Sequence, residues 1–171
     1  MNDLSQDFVY KRADQLLTKG YHAVEDKCFE DALDQFRASA YVMPSSEAYT
    51  NWGWMEHQLG DTERAIELCR EAITLDPDFG SPYNDIGSYL VSLGKVEESI
   101  EWFERAIASK VYMPRQYPHI NLGKVYLSED DYEKALDHFE KAYHICADED
   151  VATIIASLRD RLKCEERPLK Q

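Results

Sequence analysis

Residues 51–77 read NWGWMEHQLGDTERAIELCREAITLDP, and this stretch decides the fold. Gly60 can end one helix, and Asp61 can accept the orphan amides of the next, with Glu63 well placed against its dipole. Pro77 stops that second helix without removing an internal hydrogen bond. The stretch is therefore a helix hairpin, with Gly53 in its first helix and Ala65 in its second as the small residues that let the two pack closely.

Working outward, the same frame recurs on both sides. Gly20, Gly53, Gly87 and Gly123 follow one another at spacings of 33, 34 and 36 residues, and twelve residues after each stand Ala32, Ala65, Ser99 and Ala135. Four residues further on, Phe36, Phe103 and Phe139 are expected to fill the space between the helices, with Cys69 taking that place in the second unit. Pro44 and Pro77 close the first two units, whereas Val111 and Ala147 stand where the later prolines would be. Repeats of this length bury their core between neighbours and leave one long surface free, which commonly binds something.

The offsets of Gly, Ala/Ser, Phe and Pro in LTKGYHAVEDKCFEDALDQFRASAYVMP, NWGWMEHQLGDTERAIELCREAITLDP, NDIGSYLVSLGKVEESIEWFERA and NLGKVYLSEDDYEKALDHFEKA resemble tetratricopeptide repeats, over roughly residues 13–149. The resemblance implies an all-α, right-handed α-solenoid of four helix hairpins whose first helices line a concave face, and a role in protein–protein interaction. The expected organisation is a single domain over 1–171. Its repeats fall at about 13–45, 46–79, 80–115 and 116–149, with a C-terminal capping helix at about 150–165. For that helix, Val151, Ile154, Ile155, Leu158 and Leu162 recur on one side, opposite Arg159, Arg161 and Lys163. Residues from EERPLKQ onward offer nothing to pack and are expected to fray.

Within this frame Leu4, Phe8 and Val9 suggest that the first helix starts early, Ser81-Pro82 reads as an N-cap followed by proline in the first turn, and Asp130 with Glu133 resembles a capping box. SKVYMPRQYP, residues 109–118, is the one irregular connection and accounts for the longest spacing. The third and fourth repeats also resemble bacterial pilus-assembly tetratricopeptide lipoproteins. In size and charge the chain is comparable to the acidic type III secretion chaperones.

Asp and Glu outnumber Lys and Arg by 33 to 19, a formal charge of -14, which disfavours nucleic acid and anionic membrane surfaces as partners. The N-terminal MNDLSQDFVYKR lacks a signal-peptide core and no stretch approaches a membrane span, so a cytoplasmic location is expected. Cys28, Cys69, Cys146 and Cys164 show no CxxC spacing and read as reduced, packed thiols. His22, His57, His119, His138 and His144 form no metal-ligand pattern, and no glycine loop suits a phosphate. Neither a metal, a cofactor nor catalysis is expected.

The candidate site is the concave face that the resemblance implies. Two residues before each glycine stand Thr18, Asn51, Asp85 and Asn121, and directly after each stand Tyr21, Trp54, Ser88 and Lys124. Asn51 and Asn121 could pair with successive peptide units of an extended ligand, or be simply solvated. Trp54, Tyr21 and His57 could form an aromatic platform, or be ordinary packing between first helices. Tyr117 and Lys124 add a hydroxyl and a positive charge, while Asp14, Glu25, Glu47 and Asp85 make the groove acidic. A basic or neutral partner segment with apolar anchors fits this face best. Chaperone-binding tetratricopeptide domains hold a carboxylate with Lys, Asn and Arg, whereas the corresponding places carry Leu17 and Tyr21, Asn51, then Ser81 and Asp85. Only Asn51 matches, so a carboxylate clamp is excluded. The expected function is a protein-interaction adaptor, with a holding chaperone for a secretion substrate or a self-assembling array as the alternatives.

Overall fold

A computed structural model describes residues 3–112 and 114–165. Among these residues the secondary structure is nine α-helices, arranged as an all-α solenoid: α1 (Asp3–Glu25), α2 (Phe29–Val42), α3 (Ser46–Gln58), α4 (Thr62–Leu75), α5 (Ser81–Ser92), α6 (Val96–Ala108), α7 (Gln116–Ser128), α8 (Tyr132–Ile145) and α9 (Glu149–Glu165). Consecutive helices pack as hairpins, and first helices also meet first helices, α3 against α5 and α5 against α7. Of the stretch 165–171 expected to fray, Glu165 is instead the last residue of α9, and residues 166–171 lie outside the described residues.

The glycine frame is a close-approach device. Gly20, Gly87 and Gly123 lie against the rings of Phe36, Phe103 and Phe139, and a Cβ added at Gly123 would meet its ring at 2.9 Å. At Gly53 the nearest atom is instead the Ala65 carbonyl oxygen, 3.0 Å from such a Cβ, with the Cys69 thiol at 3.5 Å. Cys69 is therefore the small side chain of a narrower slot. Around these contacts the core runs as a chain of clusters: Phe36 with Met55 and Leu68, then Cys69 with Ile86 and Tyr89, then Phe103 with Leu122 and Val125. Burial of a Leu or Ile in such a cluster contributes about 1.5–3 kcal/mol. The last cluster seats Val151, Ile155 and Leu158 of α9 on Phe139, and covers the apolar side that the final hairpin would otherwise leave wet.

Four hairpin turns share one hydrogen-bond pattern. Gly60 donates to His57 and Asp61 to Glu56, at 3.0 and 2.8 Å, and the same pair of bonds recurs at Lys27-Cys28, Gly94-Lys95 and Asp130-Asp131. This is the Schellman closure, whose penultimate residue takes a positive φ. Gly60 and Gly94 adopt φ of 101° and 75°, and Lys27 and Asp130 adopt 60° and 58°. The expected capping box is corrected accordingly: Asp130 occupies the left-handed position, and the cap is Asp131, whose carboxylate accepts the Lys134 amide at 3.1 Å. Asp61 caps α4 in the same way through the Arg64 amide, at 3.0 Å.

The start of α5 is also one residue earlier than expected. Its N-cap is Gly80, and Ser81 is already helical. The irregular connection explains the shift. Phe79 and Val111 form an isolated parallel bridge, Gly80 donates to the Val111 carbonyl at 2.8 Å, and Val111 donates to the Asp78 carbonyl at 3.0 Å. A Cβ at Gly80 would meet the Tyr112 Cβ at 2.6 Å, so the connection folds tightly onto the α4–α5 link and buries Tyr112 beside Tyr83. The packed-thiol expectation holds for Cys69 only, because Cys28, Cys146 and Cys164 are exposed.

Candidate functional site

The first helices and the α4–α5 link enclose two adjoining clefts on one face. The first, of about 360 Å³, is lined by Tyr21 of α1, Glu47 and Asn51 of α3, and Phe79 and Ser81. The second, of about 260 Å³, shares Thr50, Asn51 and Ser81 with it and continues past Trp54, Asn84 and Asp85 to Tyr112 and Tyr117. Together they form one groove from α1 to α7. Tyr21, Asn51, Trp54, Asp85 and Tyr117 are thus brought to one surface by different helices.

Polar groups on the walls are partly spent on one another. The Tyr21 hydroxyl donates to Glu47 at 2.8 Å and accepts from the Asn51 amide at 2.7 Å, which ties α1 to α3. Burial, and then the Glu47 carboxylate, push the Tyr21 phenol up to about 12. Its ring packs edge-on against Phe36, centroids 5.3 Å apart. Trp54 is half-buried and packs on the cluster around Phe36 and Met55, with the rest of its ring on the groove.

Asp85 is the chemically unusual member. Its carboxylate has one hydrogen-bonding neighbour, the Asn84 amide at the long distance of 3.5 Å. Burial raises its pKa to about 7, against a smaller opposite pull from Asn84. The same carboxylate raises the buried phenols of Tyr89 and Tyr112, for which burial is the larger cause. Lys, Arg and His are absent from the lining of both clefts.

The remaining sequence candidates lie elsewhere. The His57 ring packs at a tilt against Tyr89, centroids 4.4 Å apart, its Nδ1 is 3.0 Å from the Thr62 hydroxyl, and burial lowers its basicity. It fills the α3–α5 junction, so Tyr21, Trp54 and His57 do not make one platform. The Asn121 side-chain amide donates to Asn84 Oδ1 at 2.9 Å and, with Lys124, Asn121 lines a separate apolar cleft of about 310 Å³ between Val91, Phe103 and Val125. Sequence reasoning missed Asn84, Phe79 and Tyr112. Asn84 sits outside the two rows counted from the glycines, and Phe79 and Tyr112 lie in connections that carry no helical period. Proline content and extra length were the signals that marked the second connection.

Two family models for the tetratricopeptide repeat match the chain, one at residues 46–79 and one at 78–148, together more than half of it. The chain belongs to the tetratricopeptide-repeat family. Among curated tetratricopeptide proteins, it is 28% identical over 97 residues to small glutamine-rich tetratricopeptide repeat-containing protein 2 of Mycosarcoma maydis, and 25% identical to the protein of that name from Saccharomyces cerevisiae. Each match covers 56% of this chain, which spans only 28% of the length of either relative. Among solved tetratricopeptide structures, Pseudomonas aeruginosa PilF superposes with a TM-score of 0.82 at 22% identity, over 91% of this chain and 71% of PilF. PilW, a type IV pilus biogenesis factor, gives 0.70 at 16% identity, over 84% and 63%. These likenesses establish the solenoid fold. Tetratricopeptide arrays generally act in protein–protein interaction. Among the described residues no helix is long and apolar enough to cross a membrane.

Proposed function

We propose that this tetratricopeptide array is a non-enzymatic interaction module, and that an extended segment of another protein lies across the groove from Tyr21 to Tyr117. The observation that carries this is the continuity of the two clefts through Asn51, with acidic Glu47 and Asp85 on the walls and no cation beside them. A chain rising about 3.3 Å per residue suits a channel walled by successive helices, and amide and hydroxyl groups there can pair with its backbone. An acidic wall with Trp54 and Tyr117 favours a basic segment carrying apolar anchors. The helix α9 packs on α8 and lies outside both clefts.

Selection of random peptides by display on the purified array, followed by backbone amide chemical-shift mapping, tests this. Selected peptides should be enriched in Lys or Arg and should shift groove amides around Asn51 and Asn84. Trp54→Ala should weaken them about tenfold while helicity is kept. Peptides that shift the opposite face, or that bind Trp54→Ala equally well, would remove the groove from this role.

A further inference from the structure

The second cleft is more than a stretch of acidic wall. Asp85 lines it half-buried, no salt bridge joins its carboxylate to a cation among the described residues, and Trp54, Tyr112 and Tyr117 line the same cleft. Tyr112 is 5% exposed and held by its packing on Tyr83 and Ala106, whereas Tyr117 is 49% exposed and stands at the mouth. A carboxylate in such surroundings lacks its complement. We propose that this pocket binds the cationic head of a single basic side chain, arginine or lysine, carried by the partner segment, with Asp85 as the counter-ion and Trp54 and Tyr117 as the flanking rings.

The chemistry of the wall narrows the ligand. Ring faces attract a cation through their quadrupole, and a guanidinium can stack on a ring while pairing with a carboxylate in its plane. An anionic or apolar group would leave the Asp85 carboxylate unpaired in a partly dry site. The groups facing Asp85 are Asn51 and Trp54 from α3, the Cys69 thiol from α4, Asn84 and Tyr89 on its own helix, Tyr112 from the connection and Tyr117 from α7. Every one of them is uncharged at neutral pH. A proton and a basic side chain therefore compete for the same carboxylate, and binding should strengthen as pH rises through neutrality.

This inference rests on the groove being the partner-binding face, and small probes separate the two. Nα-acetyl-arginine N-methylamide, the lysine analogue and the uncharged citrulline analogue are titrated into the full chain, and the amides of Asn84 and Asp85 and the Trp54 indole are followed by NMR. The arginine or lysine probe should shift these signals saturably, and the citrulline probe should not; the better binder names the side chain. Asp85→Asn should weaken the binding at least about tenfold, and Tyr117→Ala about threefold. Affinity should rise about tenfold from pH 6 to pH 8 in the natural chain and stay flat in Asp85→Asn. Equal response to citrulline, or an unchanged affinity in Asp85→Asn with its helicity intact, would overturn the assignment. Display peptides that occupy the groove while the cationic probes leave Asp85 unmoved would keep the groove and reject this pocket. Probe binding with no peptide in the groove would keep the pocket and reject the longer segment.

Discussion

The backbone of Gly87 rides on the edge of Phe103: a methyl group on that glycine would meet the ring at 2.6 Å. In the second hairpin the corresponding Gly53 faces the Cys69 thiol at 3.5 Å, with the Ala65 carbonyl at 3.0 Å as its tightest neighbour. Gly87→Ala should therefore destabilise the array by about 2–3 kcal/mol, although alanine favours a helix by about 1 kcal/mol. Gly53→Ala should cost less than about 1 kcal/mol, because a shift of a few tenths of an ångström relieves it. Urea unfolding compares the two. A loss as small for Gly87→Ala as for Gly53→Ala would mean that the phenyl ring moves aside as readily as the contact at Gly53 relaxes.

Asp130 spends its native life in the left-handed region, with φ of 58°, while its side chain hydrogen-bonds the Tyr132 hydroxyl. Asp130→Gly relieves the backbone at the cost of that exposed bond. A net gain of about 0.5 kcal/mol is expected. Gly60→Ala, at φ of 101°, should lose about 1 kcal/mol or more by the same reasoning. Thermal melts followed by circular dichroism should move in opposite directions.

The Tyr21 hydroxyl joins Glu47 and Asn51 across the first inter-hairpin junction. Tyr21→Phe and Asn51→Ala should each cost about 1 kcal/mol, and the double variant should cost less than their sum by about 0.5–1 kcal/mol. A double-mutant cycle in urea reads this coupling. Strict additivity would show that the bond does not persist in solution.

His119 and His138 approach Nδ1 to Nδ1 at 3.2 Å between α7 and α8, and the His138 ring stacks on Tyr126. Burial, then the neighbouring His119, lower His138 to about 4, and burial also lowers His119. An unfolded histidine titrates near 6.5, so the unfolded chain takes up protons first. Stability should be full above about pH 6.5 and fall toward pH 4, by about 1–2 kcal/mol for a partly exposed ring. His138→Asn should flatten that slope in melts recorded across the range. An unchanged slope would assign it to other groups.

Asp85 has the opposite linkage. Its folded carboxyl titrates near 7 and its unfolded one near 4, so the folded state holds the proton more tightly. Its contribution should be most favourable at about pH 4 and be lost as pH rises toward 7. Asp85→Asn should raise stability at pH 8 by about 1–2 kcal/mol, discounted for partial exposure, and leave pH 4 nearly unchanged. A variant less stable at pH 8 would imply that the carboxylate has a partner when charged.

The hairpin and its repetition were legible because they depend on local rules. Small residues at fixed offsets, Gly60 and Gly94 at the turns, and the apolar stripe of α9 all express a helical period that needs no tertiary information. The caps were misread by one residue at Asp130 and at Ser81. In the first case an aspartate was standing in for a turn glycine; in the second, a backbone bridge from Val111 had claimed Gly80.

For the groove, sequence placed Tyr21, Asn51, Trp54, Asp85 and Tyr117 on first helices, and these do line one surface. It could not say which polar groups would be consumed, because Asn51 with Tyr21 and Asn121 with Asn84 are meetings between residues 30 and 37 positions apart. Nor could it place Tyr112, which reaches the groove only because an irregular connection folds back onto the α4–α5 link. What the sequence alone determined is the unit and its stacking, since those follow from periodicity along the helix. Only the tertiary structure decided that, among the described residues, Asp85 has no salt-bridge partner in a cleft shared with Trp54, Tyr112 and Tyr117, since pairing and desolvation depend on neighbours that no local spacing specifies.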